Sequence, residues 1–74
     1  MKTLRAWRQA RLISIEDLAE KSGVSTKTIV ETELGRTTPK YRTIRRLSEA
    51  LALRPEEVEE FAAVMRGGNQ VSGE

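Results

Sequence analysis

The 74-residue sequence contains neither cysteine nor histidine. Without cysteine, no disulfide can cross-link the fold and no thiol can act as a nucleophile. Without histidine, the chain lacks the side chain that most often ligates transition metals and transfers protons near neutral pH. The carboxylates that remain show no pattern typical of an active site. We therefore expect no metal site, no cofactor and no enzymatic activity.

Long apolar stretches are also lacking. No apolar run approaches the roughly 20 residues that a membrane-spanning helix requires, and the N-terminus lacks the apolar segment of a signal peptide. A chain of 74 residues with three aromatic side chains can build one small core, burying about 60 % of the surface that the unfolded chain exposes. The composition predicts a single-domain cytoplasmic protein with no membrane partner.

Charge is distributed unevenly along the chain. The net charge is only +2, yet residues 1–46 carry a balance of +6 and residues 47–74 a balance of −4. A basic N-terminal part and an acidic C-terminal part indicate one face suited to a polyanion. The alternative is a chance clustering of solvated charge.

The stretch from Ser14 to Gly35 predicts two short helices joined by a tight turn. Ser14 and Ser25 each precede an apolar-periodic segment and can cap its first turn with a hydroxyl. Gly23 lies between the helices, where the chain needs a positive φ that other residues resist. Two short helices joined in this way form a helix-turn-helix unit, and its apolar seam comprises Leu18, Ala19, Val24 and Ile29.

The second helix of this unit would pack its Ile29 side against the first and expose the opposite side. The exposed residues would be Thr26, Lys27, Val30 and Glu31. In a helix-turn-helix protein, this surface is the one that reaches base edges in the major groove of DNA. The alternative is an ordinary helical hairpin whose polar face is solvated.

One further helix is predicted before this unit and another directly after it. The first spans Thr3–Arg11 and directs Leu4, Trp7 and Ala10 inward. The fourth begins around Pro39, and its apolar stripe comprises Tyr41, Ile44, Leu47 and Leu51.

A fifth helix is predicted to begin at Pro55, a residue suited to the first helical position. Its apolar face comprises Val58, Phe61, Ala62 and Met65. Gly67 and Gly68 should end it. The expected fold is therefore all-α: a compact five-helix domain at residues 1–66, with the helix-turn-helix as helices 2 and 3, and a flexible C-terminal tail at residues 67–74.

With this order of helices, the chain resembles the phage repressor/Cro type (XRE-like) of helix-turn-helix DNA-binding domain. The resemblance runs from Leu4 to about Phe61. It is carried by Leu4, Arg8, the run Ile13-Ser14-x-Glu16-Asp17-Leu18-Ala19, Gly23-Val24-Ser25, Thr28-Ile29, Glu33, Gly35, Pro39, Leu47, Ala50-Leu51 and Val58. The resemblance implies a transcriptional regulator that binds specific double-stranded DNA, usually as a homodimer that represses from a palindromic operator. Such a protein would associate with the nucleoid when it is bound to DNA.

The resemblance also implies roles for individual residues. The positions that touch bases in the family correspond to Thr26, Lys27 and Glu31. The positions near the sugar-phosphate backbone correspond to Ser25, Thr28, Arg36 and Lys40. Arg8 and Glu33 match a pair that forms a buried ion pair in relatives.

Four positions depart from the family's pattern. Ile15 stands where a glutamine commonly binds DNA phosphate, and Leu34 takes a position that is usually polar. Glu31 repels phosphates and suits only the amino group of cytosine. Thr32 takes a position that is usually apolar and buried.

These departures sustain a second hypothesis, a protein-interaction module on the same scaffold, such as an antitoxin, a coactivator or an assembly adaptor. In that case Ile15, Val30 and Leu34 would contact another protein. Binding to mixed DNA that weakens steeply with salt distinguishes the two hypotheses, because phosphate contacts release counterions.

A weak homodimer is expected through the C-terminal helices. The apolar residues there are more than so small a core can bury: Leu53, Val58, Val64 and Met65. Another regulatory protein is a further candidate partner.

Overall fold

The computed structural model describes residues 2–67 and consists of five α-helices joined by short loops. The helices are α1 (Leu4–Ala10), α2 (Ile15–Ser22), α3 (Thr26–Glu33), α4 (Tyr41–Leu51) and α5 (Glu59–Gly67). A 3-10 turn at Pro55–Glu57 precedes α5, and an isolated bridge links Lys2 to Val58. The prediction of an all-α fold with the helix-turn-helix unit as α2 and α3 is confirmed.

Hydroxyl side chains cap the N-termini of three of the helices. Thr3, Ser14 and Ser25 are extended, and each accepts the backbone N–H three residues on, at O···N distances of 3.2, 3.0 and 3.2 Å. Such a cap stabilises a helix by about 1 kcal/mol. The two serine caps predicted from the sequence are present, and they fix where α2 and α3 begin.

Glycines follow the ends of α2 and α3. Gly23 and Gly35 have φ values of +77° and +73°, in the left-handed region that favours glycine. The Gly23 N–H donates to the carbonyl of Ala19 at 2.8 Å and so closes the last turn of α2. Only residues 23–25 separate α2 from α3, so the turn holds the two helices close together.

Every helix contributes to one hydrophobic core. Leu4 from α1, Leu18 from α2 and Ile29 from α3 are fully buried. The rest of the core comes from the connections and the last two helices: Val24, Ile44, Leu47, Leu51, Val58, Phe61 and Val64. Burying one such side chain contributes roughly 1.5–3 kcal/mol. Helices this short are marginal in isolation, so this packing, rather than helix propensity, stabilises them.

Hydrogen bonds tie the N-terminal helix to the C-terminal part of the chain. The indole Nε1 of Trp7 donates to the carbonyl of Glu57 at 2.8 Å, and the Leu4 N–H donates to the Glu60 carboxylate at 2.7 Å. The carboxylate therefore satisfies a free N–H in the first turn of α1, where negative charge is also favoured by the helix dipole. These bonds join the first helix to the 3-10 turn and to the first turn of α5.

The fifth helix begins later than the proline pattern predicts. Val58 is extended, with φ −104° and ψ 125°, and the next residue, Glu59, donates its N–H to the carbonyl of Lys2 at 2.8 Å. This pairing straightens the chain between the 3-10 turn and α5. The helix therefore starts at Glu59 instead of Pro55.

Two expectations about inward-facing residues are wrong. Ala10 is exposed, because Leu4 and Arg8 define the buried side of α1 and Ala10 lies two residues, about 200° of helix rotation, beyond Arg8. Met65 is 45 % exposed, and the adjacent residue Val64 is the one that α5 buries in the core.

The ends of α4 and α5 also differ from the predictions. Pro39 precedes α4 rather than starting it, because Lys40 is extended and the helix begins at Tyr41. Gly67 is the last residue of α5 rather than the first of the tail. The rest of the predicted tail, residues 68–74, lies outside the described residues.

Thr32 places a hydroxyl in the core. The residue is 1 % exposed, and its Oγ1 has no hydrogen-bond partner among the residues that the structure describes. A buried polar group left unpaired costs roughly 1–3 kcal/mol. The family departure noted at this position is therefore a local weakness of the fold.

Thr32→Val should raise the stability of the domain by about 1 kcal/mol, because it keeps the side-chain shape and replaces the unpaired hydroxyl with a methyl group. In a domain of this size that corresponds to a rise in Tm of roughly 4–8 °C. The control is Thr26→Val on the same helix, where the side chain is exposed. Thermal unfolding followed by circular dichroism would contradict the assignment if Thr32→Val were neutral or destabilising.

Candidate nucleic-acid interface

A buried ion pair fastens α3 to α1. Arg8 Nε lies 2.7 Å from Glu33 Oε2, and Arg8 Nη2 donates to Glu33 Oε1 at 3.2 Å. Arg8 Nη1 also donates to the carbonyl of Ile13 at 3.0 Å, in the loop between α1 and α2. The structure thus brings together the two residues that the sequence analysis paired, and one guanidinium joins both helices and the loop before α2.

The environment of Arg8 favours its charged form. Hydrogen bonding to Glu33 raises the pKa of Arg8 above its ordinary value, outweighing burial, which lowers it. The Arg8 guanidinium therefore keeps its charge throughout the working pH range and would lose its proton only in strong alkali. The carboxylate end of α3 is fixed in the interior, which leaves the opposite end of the helix free to project outward.

The orientation of α3 follows from its buried side. Ile29 and Thr32 face the core, whereas Thr26 and Lys27 are exposed near the helix N-terminus. Glu31 is half-buried, as is Val30. The residues predicted to read bases therefore lie on α3 with Thr26 and Lys27 projecting furthest into solvent.

Ser25 and Thr28 form a small hydroxyl pair at the start of α3. The Ser25 Oγ accepts the Thr28 N–H at 3.2 Å and donates its own proton to Thr28 Oγ1 at 3.0 Å. The Thr28 hydroxyl has capacity for one further hydrogen bond. This arrangement suits Thr28 to hydrogen bond with an acceptor such as a phosphate oxygen.

The loop after α3 carries the other two predicted backbone residues. Arg36 and Lys40 are exposed, and Lys40 lines a polar groove of about 250 Å³ between α3 and the loop. Glu31 and Thr28 line the same groove from the α3 side. Glu31 therefore faces the loop as well as solvent. Within residues 2–67 the ion pairs are Arg8–Glu33 and Arg54–Glu56, so Lys27 and Glu31 are not paired.

Three polar residues on α4 join this surface without having been identified from the sequence. Arg42, Thr43 and Arg46 line a groove of about 280 Å³, together with Ser25, Thr28 and Lys40. The signal in the sequence was the pair of arginines four residues apart, which places both on one face of a helix. The sequence did not reveal that this face lies against the turn of the helix-turn-helix unit.

The departures from the family's pattern have different environments. Ile15 is half-buried and packs against the core, so only part of its apolar surface is available to a ligand. Leu34 is 57 % exposed.

Leu12, in the loop between α1 and α2, is 91 % exposed and has a φ of +58°, which is unfavourable for a residue with a side chain.

An apolar groove of about 500 Å³ lies on the C-terminal side of the domain. Tyr41, Ile44 and Arg45 line it from α4, with Pro55 and the exposed Met65 on the other side. The C-terminal residues predicted to exceed the core are partly accommodated, since Val58 and Val64 are buried.

No helix within residues 2–67 combines the length and the apolar character needed to cross a bilayer. The same residues contain no cluster of carboxylates that could hold a metal ion.

Comparison with known proteins identifies a family. The sequence profile of a family described as a helix-turn-helix domain matches residues 2–61, which include α1 to α4 and the start of α5. No curated protein and no solved structure gives a match. The matched region contains the ion pair, the exposed end of α3 and both polar grooves.

Glu33→Ala should destabilise the domain far more than Glu31→Ala, because it leaves the Arg8 guanidinium buried without a counter-charge. The expected loss is roughly 3–5 kcal/mol, against a few tenths for Glu31→Ala. Urea unfolding monitored by Trp7 fluorescence would measure both. The double variant Arg8→Met/Glu33→Leu should recover most of the loss of either single change. Equal, small effects of Glu33→Ala and Glu31→Ala would contradict this role for the pair.

Proposed function

The chain belongs to the helix-turn-helix domain family of the phage repressor/Cro type, and on that premise we propose that it binds specific sequences of double-stranded DNA and represses transcription from a palindromic operator. A domain of this family indicates a DNA-binding regulator. We propose three properties beyond DNA binding: sequence specificity, a palindromic operator and repression of transcription.

The observation that carries the proposal is the exposed N-terminal end of α3, together with exposed basic residues in the loop that follows the helix. Thr26 and Lys27 project from the first turn of α3, where the recognition helix of a helix-turn-helix protein meets base edges. Arg36 and Lys40 lie in the next loop and are exposed. A polar helix end with cations in the next loop suits a ligand that offers base edges beside a phosphate backbone.

Affinity and specificity would come from different residues. Arg36 and Lys40 would contact DNA phosphates and release their counterions, and Ser25 and Thr28 would donate hydrogen bonds to phosphate oxygens. These contacts would bind DNA of any sequence. Specificity would come from the base-reading residues Thr26, Lys27 and Glu31. Lys27 is suited to donate to guanine O6 and N7 or to a phosphate, and Glu31 to accept from the amino group of cytosine.

Homodimerisation would use the apolar groove between α4 and α5. Met65 is the exposed apolar side chain at its edge, and Tyr41 and Ile44 form its wall. A two-fold contact there would bury Met65 of each copy against the other. In such a dimer the two recognition helices would lie about 34 Å apart, one turn of DNA, which matches a palindromic site.

A protein-interaction module is the second candidate, and the exposed leucines favour it. Leu12 is 91 % exposed in a conformation that costs the backbone energy, and Leu34 follows α3 at 57 % exposure. Neither side chain is required by the core. In this function the leucines would contact a partner protein, and binding to mixed DNA would be weak and nearly independent of salt.

Selecting bound sequences from a random pool of duplex DNA provides the ligand for the direct test. Lys27→Ala should weaken binding to every sequence if its contact is a phosphate.

Glu31→Ala should relax base preference at one position of each half-site by about 1–3 kcal/mol, and should tighten non-specific binding because it removes a negative charge. Binding titrations against the selected site and its single-base changes measure both. If the preference profile of Glu31→Ala is unchanged, Glu31 does not read a base.

Met65→Lys should abolish dimer formation, because a charge would be buried at the centre of the proposed apolar contact. Sedimentation equilibrium over a range of protein concentrations measures the effect, with Ala63→Lys at an exposed position of the same helix as the control. A wild-type protein that stays monomeric at high concentration and also binds its site as one copy would rule out this dimer.

A further inference from the structure

The loop between α1 and α2 holds a leucine in a backbone position that suits glycine. The Leu12 N–H donates to the carbonyl of Gln9 at 3.0 Å, and the next N–H, of Ile13, donates to the carbonyl of Arg8 at 3.1 Å. These two bonds form the Schellman motif that ends α1, in which the residue at the place of Leu12 takes a positive φ. Gly35 occupies the same place after α3, with φ +73°. At Leu12 the chain adopts a φ of +58° that a glycine would tolerate without strain.

The hydrophobic core does not explain this leucine. The side chain of Leu12 is almost fully exposed, whereas the adjacent Ile13 is half-buried and packs against the core. Residues that combine backbone strain with few contacts in their own fold are found where proteins meet their ligands. The exposed side chain therefore indicates a contact outside the domain.

Leu12 and Ile13 line a groove of about 350 Å³ against α2. Its other walls are charged side chains of that helix: Asp17, Glu20 and Lys21. None of the three forms an ion pair with a residue in the range 2–67. Two carboxylates against one ammonium give the groove a net negative charge beside its apolar side chains.

The charge of this groove determines which ligand it suits. The groove shares no residue with the two polar grooves beside α3 and α4, and its carboxylates would repel phosphates. A protein segment with cations around an apolar side chain is complementary to it in charge and in polarity.

We propose that this groove binds a basic segment of another protein. An apolar side chain of the segment would pack against Leu12 and Ile13, and its lysines or arginines would lie beside Asp17 and Glu20. Lys21 would contact an acidic or polar group of the segment. The inference goes beyond DNA binding, and it names the class of partner for one of the two leucines of the second candidate function. The domain would thus have separate surfaces for DNA and for a protein.

The chemistry of the partner is tested with a displayed library of short random peptides, with the wild-type domain as bait. The selected peptides should combine an aliphatic or aromatic residue with several lysines or arginines. A library that yields no binder, or yields acidic peptides, would overturn the proposal.

Leu12→Asn tests the role of the leucine, because asparagine tolerates the left-handed conformation and lacks the apolar side chain. It should weaken binding of a selected peptide at least about tenfold, measured by fluorescence anisotropy of the labelled peptide. Its Tm should equal or exceed that of the wild type, and a lower Tm would show that Leu12 stabilises the fold itself, contrary to the proposal. Leu34→Asn is the matched control, because Leu34 is exposed but does not line the groove. It should leave the affinity for the peptide unchanged.

The double variant Asp17→Asn/Glu20→Gln tests the charges. It should weaken binding by up to about fivefold per carboxylate and should flatten the dependence of the affinity on salt. An affinity for the basic peptide that is unchanged in this variant would contradict the assigned charge complementarity.

Titration of Leu12→Asn with duplex DNA separates this inference from the proposed DNA binding. Unchanged affinity for DNA together with weakened peptide binding is the expected result. Loss of both affinities at an unchanged Tm would place Leu12 on the DNA-binding surface and would overturn the inference. A wild-type domain that binds the peptide but no DNA would overturn only the proposed DNA binding and would support the inference.

Discussion

The bidentate contact between Arg8 and Glu33 is the interaction on which the geometry of this domain depends. One guanidinium binds the carboxylate at the C-terminal end of α3 and the carbonyl of Ile13 in the loop before α2. It therefore fixes α1, the entry to α2 and the orientation of α3 at once. A buried charge pair is a poor source of net stability, because desolvation offsets the attraction. Its value here lies in selecting one arrangement, because any shift of α3 would leave a charge buried and unpaired.

This constraint connects the core to the proposed function. With Glu33 held inside and Ile29 packed in the core, the first turn of α3 has to point away from the domain. The cap and the short turn before α3 define where that projection begins, since the hydroxyl of Ser25 accepts the N–H of Thr28 in the first turn of the helix. In the proposed function, side chains from other elements would contact phosphates around a surface of α3 that is already oriented. Such preorganisation lowers the entropy that binding would otherwise cost.

Local features of the fold could be predicted from the sequence because they depend on neighbouring residues. The caps at Ser14 and Ser25 and the positive φ of Gly23 arise within one turn of chain, and the structure contains all three. The start of α5 could not be predicted, because it is determined by a backbone bond between Glu59 and Lys2 at opposite ends of the chain.

The same distinction applies to the candidate site. The exposure of Thr26 and Lys27 on α3 follows from helical periodicity and could be identified in advance, whereas Val30 and Glu31, expected on the same exposed side, are half-buried. The polar groove lined by α4 depends on how α4 packs against the turn before α3, a tertiary contact that places Arg46 beside Gly23. Thr32 could be identified from the sequence as a departure at a position that is usually apolar, and the structure adds that its hydroxyl is unpaired within residues 2–67. The left-handed conformation of Leu12 became apparent only in the folded structure.

The central claim is that the N-terminal end of α3 is the surface that meets DNA. The most direct measurement is the change in amide chemical shifts of isotope-labelled protein as a duplex containing the selected site is added. The account predicts the largest changes at Thr26, Lys27 and Thr28, with further changes at Arg36 and in the first turn of α4. Changes concentrated around Leu12, or the absence of any change at α3 when the duplex is in excess, would contradict it.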